Sequence, residues 1–306
     1  MSRRGWVLFG AMGVIWGIPY LFIKIAVGEL SPVSLVFLRT GAGALLLLPV
    51  ALSRGGLPSL LPRWRWLVIY TVVEIAVPWL LLSDAERHLT SSLTGLLLAA
   101  VPLIGALLAQ LLGSKDRLRP LQAGGLLIGF AGVAALVGVD VSRSDLGAGG
   151  EMAVVAICYA VGPVIIARRL ADVPALGVVT ASLALTAIGY IPAGVLQLPS
   201  TLPSWQVLVS VAVLAVVCTA LAFIVFFALI AEVGPVRATI ITYVNPAVAL
   251  LLGVLIRGEP VTAATIVGFV LIISGSVLAT RRAPQPPPPR AREPVPIEAE
   301  PSVASP

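Results

Sequence analysis

Three ionisable side chains stand inside long apolar runs of this chain: Lys24, Arg39 and Glu74. Burying such a group in hydrocarbon is costly, so it normally pairs, reaches an interface or marks a pathway for solute or ions. Lys24 closes its run and can snorkel to the interface. Arg39 stands roughly 12 Å into its run and Glu74 roughly 13 Å into its own, counted from the same side at 1.5 Å per residue. Equal depth allows two arrangements. In one, Arg39 and Glu74 form an intramembrane charge pair. In the other, Glu74 faces a cavity as a site for a proton or a substrate cation, and Arg39 anchors a carboxylate.

Aromatic and amide side chains extend the candidate cavity. Trp16, Tyr20, Trp79, Tyr159 and Tyr243 all fall within apolar runs, and Asn245 adds an amide at depth. Trp and Tyr usually sit at membrane interfaces. Trp16 and Tyr159 are too deep for that belt, so each must find a partner in the bundle or face a cavity. Prolines at 19, 78, 102, 163, 192 and 246 each remove a backbone donor inside a run. The freed carbonyls need other partners, and broken helices commonly line cavities. Pro102 and Pro246 occupy matching places and are the hinge candidates, with a plain packing kink as the alternative.

These residues need ten helices to position them. Apolar segments lie near 6–26, 32–52, 66–83, 91–112, 119–138, 150–167, 175–195, 205–230, 235–256 and 261–280. The chain is 58% hydrophobic and 11% charged over 306 residues, against about 25% charged for a soluble globule. Runs of ~20 apolar residues span hydrocarbon. The first run follows Arg3 and Arg4 but is long for a signal peptide and lacks a clear cleavage site, so it reads as a retained helix.

Threading the ten segments puts fifteen of the twenty Lys and Arg on one side and only Arg87, Arg143 and Arg257 on the other. That excess marks the cytoplasmic face and predicts both termini inside. Short basic loops also account for the net charge of +6 without nucleic acid as a partner; membrane lipid and a small-molecule substrate are the expected partners.

Five segments precede the polar, Gly-rich linker 139–149 and five follow it. Sliding the chain by 144 residues sets Pro102 on Pro246, Leu107 on Leu251 and Gly124 on Gly268; a slide of 143 sets Trp16 on Tyr159. The expected fold is therefore an all-α membrane protein of ten transmembrane helices in two inverted five-helix repeats, 1–138 and 150–282. An odd number of spans forces the second copy upside down. The tail 283–306 is Pro-rich and polar and cannot bury a core. Gly13–Gly17 and Gly125–Gly129 have GxxxG spacing, which permits close helix approach.

Several chemistries lack their residues. There is no Walker A, HExxH or GxSxG motif. His88 is the only histidine, and Cys158 and Cys218 both lie in spans with no CxxC. No metal, cofactor or enzyme activity is expected, and energy must come from a gradient.

The chain resembles the EamA-type branch of the drug/metabolite transporter superfamily over residues 6–281. The resemblance is carried by Trp16-Gly17 and Lys24, Ser31-Pro32, Phe37-Leu38-Arg39, Ser91-Ser92-Leu93-Thr94-Gly95 and Val101-Pro102-Leu103. In the second half it is carried by Gly234-Pro235-Val236-Arg237-Ala238, Tyr243-Val244-Asn245-Pro246, Leu252-Gly253 and Gly258-Glu259-Pro260. Ser114-Lys115-Asp116 stands where the second half has Gly258-Glu259-Pro260, so Glu259 reads as an outer helix-end charge. The resemblance implies a central cavity between the repeats. It also implies a monomeric inner-membrane permease for a small polar metabolite, an amino acid or derivative, moved outward by alternating access, with proton coupling open. A sugar-phosphate or nucleotide-conjugate cargo would need more Lys or Arg at depth than Lys24 and Arg39. An intramembrane enzyme or lipid-handling protein would need a nucleophile–base pair or metal cluster that the spans lack.

Overall fold

Ten helices of the computed structural model are long and apolar enough to cross a membrane. They are α1 (Arg3–Ala26), α2 (Pro32–Ser53), α3 (Pro58–His88), α4 (Ser91–Leu108), α5 (Pro120–Gly138), α6 (Leu146–Arg169), α7 (Ala175–Leu196), α8 (Trp205–Val233), α9 (Ile240–Arg257) and α10 (Ala263–Thr280). The structure describes residues 1–54, 57–111, 120–140 and 145–280, with no strand among them. Lys115, Arg117, Arg119, linker residues 141–144 with Arg143, and the tail lie outside the described residues.

Local sequence explains the ends and breaks. Ser31 caps α2 by accepting the Ser34 N–H at 3.1 Å, and Pro32 takes the first helical position, where no donor is needed. Thr90 caps α4 in the same way, accepting the Leu93 N–H at 3.2 Å. Three helices restart on a proline. In α1 a turn at Trp16–Ile18 precedes Pro19, and in α4 a turn at Ala99–Ala100 precedes Val101-Pro102. In α9 a 3₁₀ stretch over Thr239–Tyr243 precedes Asn245-Pro246. Pro102 and Pro246 thus stand second in their restarted segments, as their matching sequence places suggest.

The third segment is longer than its apolar run. The sequence suggests 66–83, whereas α3 spans Pro58–His88. Its charged end, from Asp84 to His88, continues the helix, so Glu86 lies within it.

α3 and α8 each contain a wide π-helical stretch, Thr71–Ala76 and Val216–Leu221. Such stretches insert a residue into the helical register and are frequent at functional sites. Glu74 lies in the first and Thr219 in the second.

The most extensive helix contacts join the two halves. α5 packs on α10, α2 on α7 and α4 on α9, each joining equivalent helices. Two further pairs are equivalent to each other under exchange of the halves: α3 packs on α6, and α1 packs on α8. Small residues set the closest crossing. A side chain on Gly275 of α10 would meet the Gly129 main chain of α5, and one on Gly132 would meet the Gly268 carbonyl. Gly13 and Gly17 similarly let α1 approach Val244 and Val248 of α9.

Candidate functional site

Arg39 is buried at the middle of the bundle, where a cation needs partners. Its guanidinium carbon lies 3.8 Å from the centroid of the Trp79 ring, and Nε donates to Thr219 Oγ1 at 3.1 Å. The Thr219 hydroxyl in turn donates to the Leu214 carbonyl at 2.8 Å, five residues back, in the wide register of α8. Arg39 therefore joins α2, α3 and α8. The Arg39–Glu74 pair allowed by equal depth is not formed: the two residues are not among the ion pairs of the described residues. Five residues separate Glu74 from Trp79, so at about 100° per residue they stand on different faces of α3.

Glu74 points instead at α6. A side chain on Gly162 would collide with Glu74 Oε2, so glycine at 162 makes room for the carboxyl group. That oxygen is buried and has no hydrogen-bond partner. Tyr159, one turn earlier on α6, lies within electrostatic reach of Glu74, Arg39 and Tyr20. Its ring packs against both large apolar clusters of the bundle, with Tyr20 in one and Trp79 in the other. Arg39, Trp79, Tyr20, Tyr159 and Glu74 thus form one polar–aromatic centre.

The other expected members lie elsewhere. Trp16 packs on Phe223 and Phe226 of α8, with ring centroids 6.0 and 4.7 Å away. Tyr243 shares a hydrogen bond with Thr280 at 3.1 Å, at the end of α10 and away from the centre. Asn245 serves the backbone: with its amide turned so that nitrogen meets acceptors, it donates to Gly13 O at 3.2 Å and Ile241 O at 3.0 Å. It links α1 to the broken start of α9.

The centre is filled by side chains, in contrast to the open central cavity expected from sequence. Tyr20, Trp79 and Arg39 are each more than nine-tenths buried. A hollow of about 320 Å³ lies to one side, between α3 and α7, lined by Thr71, Val72, Thr186 and Tyr190. The arrangement is that of a closed bundle.

The end of the bundle bearing Lys24 is also closed, by groups that sequence reasoning underestimated. Lys24 is half-buried, and its ammonium donates to the Glu86 and Leu89 carbonyls at 2.6 and 2.7 Å, so it caps α3 rather than snorkelling freely. Glu86 is fully buried, with neither carboxyl oxygen hydrogen-bonded. Its helical spacing from Trp79 and Ser83 was the available signal.

Glu259 fastens the same end. α9 stops at Gly258, whose φ of +66° suits a residue without a side chain. The Glu259 N–H returns to Gly253 O at 3.1 Å, which swings its carboxylate onto the start of α4. There Oε1 accepts from Ser91 N at 3.0 Å and Ser91 Oγ at 2.8 Å, and Oε2 accepts from Ser92 N at 2.9 Å and from the Ser92 hydroxyl. Partial burial pushes the Glu259 carboxyl up, but these four hydrogen bonds outweigh it and hold the group below the ordinary carboxylate value. A carboxylate on exposed N–H groups at a helix start is favoured by the dipole as well. This agrees with the helix-end role expected from the sequence and adds its partner, α4.

Among the described residues no three His, Cys, Asp or Glu side chains gather as metal ligands.

Known proteins match this arrangement along most of the chain. The EamA-like transporter family model matches residues 3–138 and 151–281. An inner membrane transporter of Escherichia coli (strain K12), YedA, is 30% identical over 286 residues, covering 89% of this chain and 90% of the relative. A transporter of Bacillus subtilis (strain 168), YvbV, is 23% identical over 293 residues, covering 92% and 93%. A solved crystal structure shares the fold with a TM-score of 0.65 at 23% identity, covering 91% of this chain and 98% of the other. The paired five-helix halves, the ten apolar spans and this match over both halves lead to one conclusion: the chain belongs to the EamA-like transporter family.

Proposed function

We propose that the chain is a secondary transporter of the inner membrane that carries an amino acid or a close derivative outward by alternating access. The observation behind this reading is the pair of unlike groups at the centre. Arg39 is a buried cation held by a ring face and a hydroxyl, and Glu74 is a buried acid with one oxygen unbonded. Tyr159 lies within reach of both. Once the closed centre opens, a zwitterion would place its carboxylate on the guanidinium and its ammonium on Glu74. Arg39 keeps donors for a carboxylate beyond Nε, since a guanidinium carries five N–H groups. The aromatic walls suit the apolar part of the substrate.

The reciprocal contacts between halves support inverted repeats. If all ten helices cross, five per half places the second half upside down, and a site between α2, α3, α6 and α8 lies at their interface. Both termini then face the cytoplasm, in accord with the basic loops. The matched restarts at Pro102 and Pro246 are the proposed hinges. In this orientation the Lys24–Glu259 end faces outward.

Counterflow in proteoliposomes with a labelled panel of amino acids, sugar phosphates and nucleotide conjugates tests the cargo class. Saturable exchange of one amino-acid group supports the reading. Exchange of phosphorylated compounds alone contradicts it.

A further inference from the structure

Glu86 plays no part in the central site, yet it is among the most deeply buried acids of the chain. It lies two residues before the end of α3, has no exposed surface, and has no hydrogen bond on either carboxyl oxygen. The nearest cation does not serve its carboxyl group. The Lys24 ammonium is held by the main-chain carbonyls of Glu86 and Leu89, at the negative end of the α3 dipole.

The charged and titratable groups around Glu86 and the end of α3 come from four places, the fourth being the start of α6 with Asp145 and Glu151. Tyr20 and Lys24 belong to α1, and Arg257 and Glu259 to the end of α9 and its turn. On its own helix, Asp84 pairs with Arg87 at 3.3 Å and bonds Glu151 of α6, and the exposed His88 lies 4.0 Å from Asp145. Glu259 is already committed to Ser91 and Ser92.

An ionised carboxyl group buried without hydrogen bonds is strongly disfavoured. The closed end is therefore compatible with a protonated Glu86. Loss of that proton leaves an anion next to Lys24. Two responses relieve it: Lys24 leaves the helix-end carbonyls for the carboxylate, or water enters. Both loosen α1 from the end of α3, beside the clasp of Glu259 on α4.

We propose that Glu86 is a proton-binding site that controls the outer end of the transporter, closed with the proton bound and free to open once it is released. Proton supply from outside then biases the bundle toward closure on that side. The inference rests on the transporter reading and its orientation but not on the amino-acid cargo, so its test needs no substrate.

The test is accessibility of the outer end in reconstituted full-length protein. Val27, at the end of α1, is buried in the closed arrangement. A Val27→Cys variant is labelled with a membrane-impermeant thiol reagent from the outside, and the rate of the parent, which carries Cys158 and Cys218, is subtracted. Rates are corrected for the pH dependence of the reagent with a free thiol. Between about pH 5 and about pH 8 the corrected rate is expected to rise about fivefold or more. Glu86→Gln, which mimics the protonated acid, is expected to stay slow throughout and to unfold no earlier than the parent. His88→Gln is expected to keep the rise. A flat profile in the parent background, a rise that survives in Glu86→Gln, or a rise lost in His88→Gln would each overturn the proposal. If Glu86→Gln does not fold, Glu86→Asp decides: a shifted midpoint supports the assignment, and an unchanged midpoint rejects it.

Discussion

Arg39 lies over the ring of Trp79 at 3.8 Å from its centroid, and Glu74 faces Gly162 on another helix. The two intramembrane charges of opposite sign are thus held apart by separate devices. An ion pair would have closed both groups to solute; their separation leaves a cation and an acid that both lie within electrostatic reach of Tyr159. Each holding contact is open to test.

Trp79 supplies the surface on which Arg39 rests. A cation–π contact contributes about 0.5–2 kcal/mol depending on desolvation. Trp79→Leu is expected to lower the thermal unfolding midpoint in detergent and to weaken carboxylate substrates roughly tenfold, about 1.4 kcal/mol. Trp79→Phe keeps a ring face and should retain much of both. Equal losses in the two variants would show that Arg39 does not depend on the ring.

Gly162 makes room for the Glu74 carboxyl group. Gly162→Ala is expected to displace the acid and cut transport by about tenfold or more, because buried overpacking costs about 1–3 kcal/mol. Combining it with Glu74→Ser, which shortens the side chain, should add little further loss of stability. Additive losses in thermal unfolding would show that the two positions do not meet.

Glu259 ties the α9–α10 turn to α4, and the tie depends on its charge. Its folded value lies below the ordinary carboxylate value. The stability it contributes is therefore fully present above that ordinary value and is lost as pH falls through the folded value. Parent and Glu259→Gln should differ most in unfolding midpoint near neutral pH and converge below about pH 4. A gap that persists unchanged in acid would assign the effect to shape rather than charge.

Asn245 satisfies two carbonyls where α1 and α9 meet. Removing its amide leaves them unpaired in an apolar interior, at a cost of about 1–3 kcal/mol. Asn245→Ala should lower the unfolding midpoint while leaving substrate affinity nearly unchanged. A selective loss of affinity would return Asn245 to the substrate site.

Much of the fold was legible because hydrocarbon thickness dictates run length, and ten runs of spanning length stand out in the chain. Helical segments restart beside both Pro102 and Pro246, since a missing donor acts locally. Side-chain facing was less legible. Depth follows from counting residues, but it does not say which neighbouring helix a side chain meets, so equal depth left the Arg39–Glu74 pair open although Glu74 faces Gly162 of α6. Charge at the end of α3 resembled a loop, which hid Glu86; the sheltering Lys24 comes from 62 residues earlier. Tyr243 was placed among the cavity candidates by its position in an apolar run, and its hydroxyl bonds Thr280 at the end of α10 instead. Trp79 gave no sign in the sequence that it would support Arg39.

The central claim is that Arg39 takes the carboxylate of an amino acid and Glu74 its ammonium. The most direct measurement is competition against counterflow of the transported amino acid by its methyl ester and its N-acetyl derivative, in parent, Arg39→Lys and Glu74→Gln proteins. In the parent both derivatives should compete about tenfold or more worse than the free amino acid. Arg39→Lys should narrow the difference for the ester only, and Glu74→Gln for the N-acetyl derivative only. Equal narrowing for both derivatives in either variant, or none in both, would contradict the assignment of the two charges to the two ends of the substrate.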